Sequence, residues 1–204
     1  MTILAIETAT QEAGVALRHR GRVAERGLAW RSAFRELAPA IESLMAEGEI
    51  DWGDVGGIAI PAGPGSFTGL RVGAAFAMAV ADLRRIPLFA PSTLAIVAEA
   101  CAGPGDDRVC ASMDARRGRR YAAVCERRAP GAWLLAAGPV DIEPEGVVVL
   151  AAGAPVVSLE DARPGRPSPA AALATLASVA PHAYRLPAPD RLALHYARAG
   201  AELP

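Results

Sequence analysis

Three short stretches hold the residue types that could do chemistry. "PAGPGSFTGLRVG" (61–73) is a glycine-rich loop running into an apolar segment. Such a loop can turn backbone N–H groups towards an anion at a helix start. A Walker loop adds a lysine to that arrangement. All 21 basic residues here are arginine, so a phosphate-loop lysine, a Schiff-base lysine and a lysine general base are all excluded. The spacing of Gly63, Gly65 and Gly69 reads GxGxxxG, one residue longer than the dinucleotide fingerprint. Two readings stand. Gly63, Gly65 and Ser66 form a phosphate loop, or they form a rigid turn in which Ser66 caps the helix behind it.

The second stretch is "IETAT" (6–10), with Glu7 followed by Thr8 and Thr10. A carboxylate straight after a first strand, then threonines, is where actin-like ATPases hold their nucleotide. The alternative is local turn hydrogen bonding. The third is "MDARRGRRY" (113–121), which packs Arg116, Arg117, Arg119 and Arg120 into five residues. Arginine suits bidentate phosphate binding, so this patch reads either as a phosphate or RNA contact or as a solvated hairpin tip. His19, His182 and His195 make no pair at i, i+3 or i, i+4, and no GxSxG elbow occurs. No catalytic residue, no metal ligand and no peptidase set is expected.

The helix behind the glycine loop carries Gly69, Gly73, Ala77 and Ala81, one small residue every four. These lie close to one stripe. Two glycines inside a helix cost about 1 kcal/mol each relative to alanine, so close packing should offset them. The stripe meets either the chain's own sheet or a partner helix. In the partner reading Leu70, Ala74, Met78 and Val80 widen the contact, and Phe34, Leu37 and Ile41 on a helix over 33–48 supply its other half.

Around these stretches the pattern predicts strands at 2–6, 14–20 and 22–30, the helix 33–48 with Pro39 inside it, and a strand at 55–60. Helix 66–82, a strand at 86–90 and a Ser92-capped helix at 93–102 follow. Then come a hairpin around 115–118, a strand at 146–153 and helices at 168–180 and 189–200. A meander feeding βα units implies a mixed α/β sheet with helices on its faces. "GPGDD" (103–107) divides a first lobe, 1–102, from a second, 103–188, with the last helix packing back on the first. A net charge of −1 gives no global field for nucleic acid. Cys101, Cys110 and Cys125 are odd in number and widely spaced, which reads as buried free thiols. No secretory leader is visible, and the longest apolar run, residues 72–81, is far short of the roughly 20 that span a bilayer. A cytoplasmic protein is expected.

Taken in order, "ILAIETAT", "AIPAGPGSFTGLRVG", "STL" (92–94) and "MDARRGRRY" resemble the TsaB (YeaZ) family over about residues 1–125. The resemblance implies an actin-like (ASKHA) fold of two RNase H-like lobes. It also implies a non-catalytic scaffold and activator in synthesis of threonylcarbamoyladenosine at position 37 of tRNA. Such a subunit docks on the TsaD transferase through a helical bundle, here helices 33–48 and 66–82, and the ATPase TsaE joins. A homodimer through the same helices is expected when TsaD is absent, because exposed apolar helix faces tend to find a partner. ATP and magnesium enter only through partners, and tRNA contact is indirect or weak. Glu7 replaces the family's usual aspartate, and Arg119 stands where glutamate is frequent. An active actin-like kinase or ATPase remains the alternative.

Overall fold

The computed structural model describes residues 1–29, 33–160 and 164–195. β1 (Thr2–Glu7), β2 (Gly14–His19) and β3 (Arg22–Gly27) form an antiparallel meander. β4 (Val55–Ala59) pairs parallel to β1, and β5 (Leu88–Phe89) pairs parallel to β4. The first sheet therefore runs β3-β2-β1-β4-β5. β1 is buried throughout. Leu4 and Ile6 point into one core with α1 (Ala33–Glu47) and α2 (Phe67–Arg84). Ile3 and Ala5 point into the other core with α3 (Thr93–Cys101) and α5 (Pro169–Val179). Burial on both faces explains why β1 reads as a continuous apolar run rather than an alternating one.

A second sheet runs β8-β7-β6-β9, from β6 (Arg108–Arg116), β7 (Arg119–Ala129), β8 (Ala132–Ile142) and β9 (Val156–Ser158). On β6, Val109, Ala111 and Met113 join the core around α3 and α5, so one core fills the space between the sheets. Cys110 and Ala122 face the other way, under Val147 and Ala151 of α4 (Pro144–Ala151). Cys101, Cys110 and Cys125 are free and buried.

Three expectations need correction. Residues 146–153 are expected as a strand, but α4 is a helix. Pro144 fits its first turn, and burial of Val147 and Ala151, four apart, outweighs the strand preference of three consecutive valines. The helix expected at 189–200 is a single tight turn at Pro189–Arg191, followed by irregular chain to 195; residues 196–200 lie outside the described part. The chain also returns to the first lobe well before 189. The Ala170 side chain lies against β2 at Gly14, and Arg185 bridges Phe89 at the edge of the sheet. β8 and β9, absent from the sequence reading, complete the second sheet.

Candidate functional site

The first strand ends in a tight knot. Glu7 is fully buried; its Oε1 accepts from the Ala9 and Thr10 amides at 2.8 and 3.0 Å, and its Oε2 from the Thr10 hydroxyl at 2.7 Å. Burial pushes the carboxyl up to about 7, with Glu12 nearby adding to the rise and the three donors opposing it. The same turn grips α2. The Ser66 amide donates to the Ala9 carbonyl at 2.8 Å, and the Thr8 hydroxyl to the Gly69 carbonyl at 2.8 Å. Ser66 caps α2 by accepting from the Gly69 amide at 3.1 Å.

The expected phosphate-loop residues are thus brought together, apart from Gly63. Its φ of +104° suits glycine, and its carbonyl accepts from the Thr93 amide and the Ser92 hydroxyl on α3's side. The Glu7 carboxyl, the Thr8, Thr10 and Ser66 hydroxyls and the Ser66 amide all have partners within the chain. With Glu7 sealed from solvent, the knot works as a clasp between β1 and α2.

The small-residue stripe faces inward. A Cβ on Gly69 would overlap the Thr8 carbonyl oxygen, and one on Gly73 would overlap the Thr8 hydroxyl. Leu70, Gly73, Ala74 and Ala77 are buried, and Val80 is half-buried against the same core. On α1, Leu37 and Ile41 are 2% and 1% exposed. The expected partner-facing set is therefore mostly core: the backbone that comes close is β1's own turn. Phe34, at 74% exposure, is the exception, and Leu37 contributes to the floor of an open groove.

That groove, about 630 Å³, lies between α1 and α2 and is lined by Phe34, Leu37, Ala38, Phe67, Arg71 and Phe76, among others. Phe67 is 57% exposed, and the Arg71 guanidinium sits 5.1 Å from its ring centroid. Position 67 is two residues before the stripe begins, 200° round the helix from Gly69. Phe67 lies outside the small-residue stripe that marks this helix in the sequence; its signal is an aromatic residue directly behind a capping serine.

A second cavity, about 1070 Å³, opens between the lobes and is lined by Thr10, Glu12, Ser66, Arg116, Arg117 and Tyr121, among others. Phe67 and Thr68 line both cavities, so groove and cleft meet at the start of α2. The arginine patch divides here. Arg119 is ion-paired with Asp141 and Glu143. Arg120 pairs with Glu160 and reaches Ser112 and Ser158 at 3.0 and 3.2 Å. Arg116 and Arg117, at the hairpin tip, have no ion pair among the described residues and border the cleft. Among the described residues no cluster of three or more His, Cys, Asp or Glu could hold a metal ion, and no helix is long and apolar enough to cross a membrane.

The TsaD family model, described as tRNA N6-adenosine threonylcarbamoyltransferase, matches residues 27–138. TsaB of Escherichia coli, a tRNA threonylcarbamoyladenosine biosynthesis protein, is 36% identical over 135 residues, covering 65% of this chain and 58% of that protein. A solved structure of YeaZ from Pseudomonas aeruginosa superposes with a TM-score of 0.78 at 26% identity, covering 96% of this chain and 99% of that one. The chain belongs to the TsaB/YeaZ family. An uncharacterized protein of Mycobacterium tuberculosis is also similar, 34% identical over 185 residues, covering 86% of this chain and 84% of its own. The chain spans a little over half the length of the E. coli TsaB that it matches. The two-lobed, actin-like α/β fold of TsaB/YeaZ and TsaD-type proteins is the fold found here.

Proposed function

We propose that this chain is a non-catalytic scaffold and activator in synthesis of threonylcarbamoyladenosine in tRNA. It docks on a TsaD-type transferase through the α1–α2 groove. TsaE joins the assembly and brings the ATP and magnesium chemistry, and the site of action is the cytoplasm. Without the transferase, a second copy covers the same groove. The observation that carries the reading is an apolar groove with two largely exposed phenylalanines, Phe34 and Phe67, at its edges. Exposed apolar patches of this kind mark interaction sites. The similarity to E. coli TsaB, a tRNA threonylcarbamoyladenosine biosynthesis protein, supports the pathway. The sealed Glu7 supports the lack of catalysis, because a carboxyl with no solvent exposure does not reach a ligand in the cleft.

The alternative, an actin-like kinase or ATPase, draws on the interlobe cleft bordered by Arg116 and Arg117. Calorimetry of the isolated protein with millimolar ATP and magnesium separates the two readings: the scaffold gives no heat, the kinase a binding isotherm. The scaffold reading itself is tested in a strain depleted of this protein. Re-expression is expected to restore the modified adenosine, measured by mass spectrometry of tRNA, and tagged protein to bring down transferase and TsaE. Restoration without either partner in the eluate would contradict it.

A further inference from the structure

The buried carboxyl of Glu7 touches no partner in the scaffold reading, yet it sits at the root of the clasp that aims α2. Its acceptors hold the amides of Ala9 and Thr10 and the hydroxyl of Thr10. Ala9 in turn accepts from Ser66, and a Cβ at Gly65 would come to 2.7 Å from the same Ala9 oxygen. Thr8 holds the Gly69 carbonyl. The next residue after Ser66 is Phe67, at the groove's edge. One carboxyl therefore orders the turn, and the turn orders the first turn of α2.

We propose that Glu7 is a positioning residue: whether its carboxyl is charged sets how firmly turn 8–10 holds the start of α2, and with it Phe67. The neutral acid keeps every contact, since Oε1 still accepts both amides and Oε2 can donate to the Thr10 hydroxyl. The charged form is held without water, and opening the turn towards the interlobe cleft hydrates it. Charged side chains around it leave this balance to Glu7. Glu12 on the same turn is paired with Arg166. β4 and α5 carry no charged residue, and Arg18 and His19 of β2 lie at the far end of β1. Arg71 of α2 stacks on Phe67 at the outer face. The burial that lifts the carboxyl to about 7 places the change in the neutral range. The closed turn is favoured at low pH and loses that advantage as pH rises to about 7, levelling above it.

The test is amide hydrogen exchange of the whole chain between pH 5 and 8.5, corrected for intrinsic rates. The amides of Ala9, Thr10 and Ser66 are expected to lose protection on the order of tenfold per pH unit up to about pH 7, then level. In Glu7→Gln, which retains the Oε1 acceptor, their protection is expected to stay flat. The mid-helix α5 amides of Ala174 and Leu176, both fully buried, serve as the control: they report unfolding of the whole chain and are expected to stay more protected than the turn at every pH. Thr10→Val removes a donor that favours the charged form, so the levelling point is expected to move to higher pH; this variant decides the matter if Glu7→Gln does not fold. Flat protection in the natural protein, an equal slope in Glu7→Gln, turn protection no lower than that of the α5 control at any pH, or an unmoved levelling point in Thr10→Val would each overturn the proposal. The proposal rests on the docking reading only for the importance of Phe67. Failure to bind a transferase while this exchange profile holds would count against docking alone.

Discussion

The Thr8 hydroxyl donates to the Gly69 carbonyl at 2.8 Å, across the join between β1 and α2. Gly69 has no room for a side chain there, because a Cβ would overlap the Thr8 carbonyl oxygen. In an open helix, Gly→Ala gains about 1 kcal/mol from propensity. Here the obstacle is backbone, so Gly69→Ala is expected to lose about 1–3 kcal/mol net. Gly73→Leu is expected to be worse still, and any loss of partner binding in it would report folding rather than contact. Urea unfolding of the isolated variants checks both.

Glu7 links stability to pH. Its carboxyl is raised from 4.5 to about 7 in the folded chain, so its contribution is fully present below pH 4.5 and is lost as pH rises to about 7. A shift of that size corresponds to about 3 kcal/mol. The stability difference between pH 5 and pH 8 is expected to shrink by that order in Glu7→Gln, read from paired urea titrations.

α4 offers a direct check on a place where sequence and structure part. Val147 is 5% exposed and Val149 is 80% exposed. On a strand these two would share a face; on a helix they do not. Val147→Asp is expected to cost about 2–4 kcal/mol, and Val149→Asp to stay within about 0.5 kcal/mol of the natural protein by thermal unfolding.

The divided arginine patch predicts divided effects. Arg120 on β7 reaches β6 through Ser112, β9 through Ser158 and the chain just after β9 through Glu160. Arg120→Ala is expected to cost about 1–3 kcal/mol. Arg116→Ala with Arg117→Ala is expected to leave stability within about 0.5 kcal/mol, measured by the same denaturation.

What was legible follows from how far each signal is local. β1 and α2 announce themselves, the first by an unbroken apolar run and the second by Ser66 as the cap of an apolar segment, although the expected end at 82 falls two residues short of Arg84. The four-residue stripe correctly demands a close neighbour, but period alone does not say which backbone approaches. That neighbour is the turn after β1, some 60 residues earlier in the chain. β8 stays hidden because most of it is partly or fully exposed, Gly138 and Pro139 interrupt it and its pairing with β7 shifts register. The groove is half legible in the sequence: Phe34 lies on an expected partner-facing helix, while Phe67 is hidden among the glycines on either side of it.

The proposed docking of a transferase on the α1–α2 groove rests on Phe34 and Phe67. The decisive experiment is titration of a TsaD-type transferase into the natural protein and into Phe34→Asp with Phe67→Asp, by calorimetry at pH 6.5. Saturable one-to-one binding is expected, weakening at least about 30-fold in the double variant, as loss of about 2 kcal/mol at an interface anchor implies, with the thermal midpoint of the isolated chain unchanged. Equal affinity in both, with both folded, would contradict it.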